Sequence, residues 1–190
     1  MQHENELFVL QGGEHGTVVK LYQTSTEVGT DTYRTTVWMP TNVVFSLPGS
    51  SGMILGGGID ADADWIYVSA HGTGSVYKIG RLDPTEMVQL VPNNYFKYPQ
   101  DIVLVARNTL LVNDLYGHAV YAVRTDDEDT SKDDSEEGGE AVVELAAVDL
   151  HYPRSIVYRR GENKSVHMFV SELNPNRVVE VVYEDGHGVW

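Results

Sequence analysis

The sequence predicts an all-β protein of β-propeller type, with about four blades built from a repeated hairpin. Three observations predict it. Three segments align without a gap, turn-forming residues fall at the same place in each, and apolar residues come in short runs rather than at helical spacing. The aligned segments are residues 66–79 (IYVSAHGTGSVYKI), 110–123 (LLVNDLYGHAVYAV) and 168–181 (MFVSELNPNRVVEV). Each has three or four apolar residues, a small polar residue, a turn rich in Gly, Pro or Asn, and a second apolar strand. That is the signature of a β-hairpin.

Taken in order, residues 7–21 (LFVLQGGEHGTVVKL) give a first hairpin with one extra residue in its turn. Ser46, Ser50 and Ser51 lie in a Gly/Pro/Ser stretch that reads as a loop. No Gly-x-Ser-x-Gly elbow is present, which argues against a serine hydrolase. Asp60, Asp62 and Asp64 suggest the start of a calcium loop. The sixth and twelfth positions of that loop are Trp65 and His71 instead of Gly and Glu. The segment therefore reads as a turn in which Asp side chains cap backbone amides. Tyr98-Pro99-Gln100-Asp101-Ile102-Val103 precedes the second aligned hairpin, and Tyr152-Pro153-Arg154-Ser155-Ile156-Val157 precedes the third. Both read as a short strand leading into the blade. Gly72-Thr73-Gly74 and Asn174-Pro175-Asn176 are turn chemistry, without phosphate-loop spacing. His118 occupies the equivalent turn of the second hairpin, and Glu172 reads as a structural acid at its strand end.

The first two aligned hairpins start 44 residues apart, and the next follows after 58. The surplus falls in two polar stretches, the acidic run at 126–139 and residues 160–164, so the repeat continues and the insertions are loops. Residues 126–139 hold eight acids and one lysine and are expected to be a flexible insertion in a single 1–190 domain. A blade cannot bury both faces alone, so stacking around an axis is the expected solution. A sandwich of similar hairpins is the alternative, and it accounts less well for a repeat near 44.

The hydrophobic share of 42% suffices for a core, and no apolar run is long enough to span a membrane. The polar, acidic start of the chain does not read as a signal peptide. The absence of cysteine excludes disulfides, thiolate metal sites and thiol catalysis, and favours a cytoplasmic setting. A net charge of −15 disfavours nucleic acid and anionic lipid as partners and favours a cation or a basic partner. Asn163-Lys164-Ser165 is a glycosylation triplet of the kind that arises often by chance.

The motif residues resemble the paraoxonase/arylesterase family, within the wider group of calcium-dependent lactonases and gluconolactonases. The resemblance rests on the segment 66–79 with His71 at its turn, on Gln100-Asp101-Ile102-Val103, and on Val112-Asn113-Asp114-Leu115-Tyr116. Arg154-Ser155-Ile156 and Phe169-Val170-Ser171-Glu172 continue it in the family's order. The last hairpin is also similar to strictosidine-synthase-like and NHL propellers. The resemblance implies a six-bladed propeller around a channel that holds calcium, one ion being structural and one catalytic. The catalytic ion would polarise an ester or lactone carbonyl while a histidine serves as general base. It implies His71 as that base, and Asp101, Gln100, Asp114 and Asn113 as calcium-binding positions.

The departures from the family pattern are specific. Gln100 and Arg154 stand where the family has calcium-binding asparagines, and a guanidinium has no lone pair to offer a cation. Gly56-Gly57-Gly58 stands where the partner histidine falls, and Leu115 replaces a histidine after Asp114. Six blades need roughly 250 residues, so the chain reads as an incomplete six-bladed template. Two functions are therefore expected in parallel. One is a calcium-dependent hydrolase of small-molecule esters or lactones. The other is a non-catalytic NHL-like module with a protein partner.

Overall fold

Each aligned hairpin reverses on one residue with a left-handed backbone. Gly74, His118 and Asn176 have φ of +63°, +58° and +61°, and they close four-residue turns at the same place in the repeat. Glycine and asparagine reach that conformation at little cost. His118 holds it with a hydrogen bond between Nδ1 and the Leu150 carbonyl, at 3.1 Å.

The computed structural model describes residues 6–11, 17–27, 34–46, 56–83, 85–125, 141–161 and 165–184. The acidic run at 126–139, Ser50, Ser51 and the glycosylation site at Asn163 lie outside them. The described residues form fourteen strands and no helix, so none contains a helix able to cross a membrane. The chain divides into two units, 1–55 and 56–190.

The first unit is an antiparallel sheet of β1 (Glu6–Gln11), β2 (Thr17–Glu27) and β3 (Arg34–Ser46), in that order. The hairpin expected at 7–21 is β1–β2, with Leu7 opposite Leu21. β3 was not anticipated, and Ser46 is its last residue rather than part of a loop.

The second unit holds three antiparallel meanders. The first runs through β4 (Gly56–Ala61), β5 (Trp65–Ala70), β6 (Ser75–Gly80) and β7 (Met87–Val91). The second runs through β8 (Pro99–Ala106), β9 (Thr109–Asp114), β10 (Ala119–Arg124) and β11 (Val142–Ala147). The third has β12 (Pro153–Arg160), β13 (Ser165–Glu172) and β14 (Arg177–Glu184). The aligned hairpins are β5–β6, β9–β10 and β13–β14, and the two Pro-led segments are β8 and β12. Pro99 and Pro153 are first residues of their strands, where a missing N–H breaks no ladder. The leading strand of each of these three sheets carries a bulge at the same point, beside Gly56, Pro99 and Pro153.

The sheets stack in chain order. Tyr67, Val76, Leu90 and Val91 of the first pack against Ile102, Leu110, Val112 and Val123 of the second. The other face of the second sheet, with Val105, Leu111, Val120, Ala122 and Ala146, packs against Ile156, Val166, Met168 and Val170 of the third. Strand alternation does this directly: Leu110 and Val112 point one way and Leu111 the other, so the middle sheet is apolar on both faces. The leading strands β4, β8 and β12 are successive neighbours. At these junctions the backbone comes close. A Cβ on Gly57 would stand 2.7 Å from the Pro99 carbonyl, and one on Gly58 would stand 2.4 Å from the Ile102 nitrogen.

Candidate functional site

In a meander the turns between second and third strands lie at the same end of the sheet as the start of the first strand. In the second unit this end therefore gathers the turns 71–74, 115–118 and 173–176 with the segments that lead into β8 and β12. The repeat places rings here in a row. His71 stacks on Tyr98 with centroids 4.0 Å apart, Tyr98 meets Tyr116 at 5.0 Å, Tyr116 meets Tyr152 at 6.3 Å, and Tyr152 meets His118 at 4.8 Å. Tyr98 and Tyr152 stand at the same place in the repeat, each just before the leading proline. Tyr116 is 52% exposed and Tyr152 38%, so the middle of the row offers ring surface to a ligand.

His71 is only 8% exposed. Burial disfavours its charged form and brings its pKa down to about 4, with the nearby Gln100 backbone offsetting part of the shift. Neither ring nitrogen makes a well-formed hydrogen bond. At neutral pH it is an uncharged imidazole with a free lone pair, which is the state a general base needs.

The residues expected at calcium positions make the following hydrogen bonds. Asp101 lies at the start of β8 and reaches across to the third sheet. Its Oδ2 accepts the Ser155 hydroxyl at 2.9 Å and the Ile156 N–H at 3.0 Å, and its Oδ1 accepts the Ile102 N–H. Asp60 makes the corresponding reach from the first sheet to the second, accepting the Leu104 N–H at 2.7 Å. Asp114, 2% exposed, accepts the N–H groups of Lys97, Tyr98 and Gly117 at 2.8, 2.7 and 3.0 Å. It thereby pins the segment leading into its own sheet. Glu172 holds the equivalent place one repeat later and accepts the His151 N–H at 2.6 Å and the Arg177 guanidinium. Its burial raises the pKa, but these two donors carry it below the usual carboxylate range.

Asn113 is fully buried, with both amide atoms unpartnered. It faces the third sheet opposite Asp101 in the β8–β9 ladder. The serines at its place in the neighbouring repeats, Ser69 and Ser171, bond the backbone at Gly58 and Ser155. Gln100 is half-buried, with its backbone beside His71. The structure therefore brings His71, Tyr98 and Gln100 together, and separately Asp101, Asn113 and Ser155. Among the described residues no three His, Cys, Asp or Glu side chains converge as a metal-binding group. The aspartates of 60–64 form the capped turn expected: Asp62 Oδ1 accepts the Asp64 and Trp65 N–H groups at 2.8 and 2.7 Å. Oδ2 accepts the Tyr67 hydroxyl at 2.9 Å. That bond, added to burial, holds the Tyr67 phenol well above its usual pKa.

Sequence reasoning missed the tyrosines of the row. The repeated Tyr-Pro pair was their visible signal. It also missed three exposed basic residues, Lys97, His151 and Arg154, on the segments that carry Tyr98 and Tyr152. The open depression lined by Arg159, Arg160, Gly161, Ser165 and His167 lies at the opposite end of the third sheet. No protein-family model and no curated protein matches the chain.

Proposed function

We propose that the three stacked sheets are consecutive blades of a propeller-type binding module, with the ring row as its ligand end. One observation carries this reading above the others: the carboxylates of Asp101 and Asp114 each accept three N–H or O–H bonds from the segments they join. A carboxylate has about four lone-pair sites, so both are largely consumed in tying strands together. The exposed faces of Tyr116 and Tyr152, with Lys97, His151 and Arg154 on the segments that carry Tyr98 and Tyr152, suit a peptide or protein segment that combines flat apolar side chains with acidic ones. The test uses the immobilised protein and its Tyr116→Ala/Tyr152→Ala variant as baits for a peptide library. Acidic-aromatic peptides held by the first and released by the second are expected. Equal retention by both would end the proposal.

The second reading is the calcium-dependent ester or lactone hydrolase, and His71 favours it. The imidazole is neutral, without a well-formed hydrogen bond, and beside Gln100, as a general base would be. Its support stops there, because Arg154 carries a positive charge into the place of a calcium ligand. Hydrolysis of phenyl acetate or a δ-lactone that requires calcium and disappears in His71→Leu would establish it.

A further inference from the structure

The exposed rings of the row are each backed by a ring that the fold holds in place. Tyr98, stacked on the buried His71 with centroids 4.0 Å apart, meets Tyr116 at 5.0 Å. His118, whose Nδ1 is 3.1 Å from the Leu150 carbonyl, meets Tyr152 at 4.8 Å. Between these supports Tyr116 and Tyr152 stand 6.3 Å apart with their planes at 90°. Two perpendicular rings form a notch, one ring its floor and the other its wall, and both are well exposed. Among the described residues neither phenol hydroxyl has a hydrogen-bond partner.

The backbone around the notch narrows the kind of peptide it can hold. The Leu115 and Leu173 N–H groups donate to the Tyr98 and Tyr152 carbonyls at 3.0 and 3.1 Å, and those of Tyr98 and Gly117 donate to Asp114. These groups are therefore closed to an added β-strand, which needs a ladder to extend, and to a terminal carboxylate, which needs a cluster of amides. The notch offers ring faces and O–H donors instead. A polyproline II helix is the complement of that pair. It makes no internal hydrogen bonds, so its carbonyls are free to accept, and its proline rings present flat apolar faces. It rises about 3 Å per residue, so two residues span the step from one ring to the next. Lys97, His151 and Arg154, exposed on the segments that carry Tyr98 and Tyr152, complement acidic residues beside the prolines. We infer that the row binds a proline-rich, acid-flanked segment in the polyproline II conformation, with a proline in the notch between Tyr116 and Tyr152. The inference rests on the binding-module reading of this row and specifies the flat apolar side chains it takes. Supported rings and a preformed ligand helix both limit the conformational freedom lost on binding.

Fluorescence anisotropy of the full chain with three labelled peptides of equal charge tests this. The first is Asp-Pro-Pro-Leu-Pro-Pro-Asp, the second has alanine for every proline, and the third has phenylalanine for two prolines and alanine for the others. The proline peptide is expected to bind at least about tenfold more tightly than either counterpart and to be lost in Tyr116→Ala/Tyr152→Ala. Tyr116→Phe keeps the ring and removes the donor, so it is expected to fold as the wild type and to bind the proline peptide about fivefold more weakly. Unchanged affinity in Tyr116→Phe, or proline and alanine peptides that bind alike, would overturn the inference. A phenylalanine peptide that binds as tightly as the proline one and is lost in the double variant would overturn it while leaving the binding module standing. Binding of none of the three would overturn both.

Discussion

At His71 burial and chemistry pull in different directions. The ring is inside, stacked on Tyr98 and without a well-formed hydrogen bond to either nitrogen, so folding holds it neutral down to about pH 4, whereas in the unfolded chain it protonates near 6.5. Between those values the unfolded chain binds the extra proton. The contribution of His71 is therefore complete above pH 6.5 and is lost as pH falls toward 4, by at most about 3 kcal/mol. Leucine stands at the same place in the next two repeats, as Leu115 and Leu173. His71→Leu is thus expected to fold normally and to flatten the acid limb of a stability-against-pH curve measured by urea unfolding. An unchanged curve would place the titration elsewhere. Asp101 gives the complementary case. Asp101→Ala leaves the Ile156 and Ile102 N–H groups without their acceptor and is expected to cost about 3 kcal/mol in the same measurement. His71 was visible in the sequence through its turn and its resemblance. The clamp role of Asp101 was not, because the N–H it accepts lies 55 residues further on and only stacking brings the two together.

At the level of the elements, the hairpins were legible because they repeat both their apolar runs and their turn chemistry. β5–β6, β9–β10 and β13–β14 fall within a few residues of the aligned segments. The outer strands were not legible. β7 and β11 bury only their last two residues, so neither alternates along its length. β4 begins with three glycines, which carry no pattern but leave room for β8 to approach. Turn geometry gives the sharpest prediction here. Gly74 has φ of +63°, and a Cβ on it would stand 2.3 Å from the Phe96 carbonyl. Gly74→Ala is expected to cost about 2 kcal/mol or more, lowering the melting midpoint by some 4–8 °C. Asn176, in the same conformation and exposed, is expected to accept glycine with almost no change. An equal loss at both sites would contradict this, because glycine at 176 relieves backbone strain rather than adding it.

Across the second unit, one device recurs: an acid on a leading strand accepts a backbone N–H from the next leading strand. Asp60 does so to Leu104 and Asp101 to Ile156. Asp114 and Glu172 then fix the chain as it arrives at each sheet. The sequence resemblance assigns the acids at 101 and 114 to calcium. The bonds they make tie strands together, and the proposed binding module rests on that as their role. Thermal unfolding of the wild type and of Asp101→Ala, each in calcium and in excess chelator, tests it most directly. The account predicts that calcium leaves both midpoints unchanged and that Asp101→Ala melts well below the wild type in either condition. An ion at a hundred times its Kd would add about 2.7 kcal/mol to the folded state, some 5–11 °C at the melting midpoint for a chain of this size. A calcium-dependent rise of that order in the wild type, absent from Asp101→Ala, would contradict the account and restore the hydrolase.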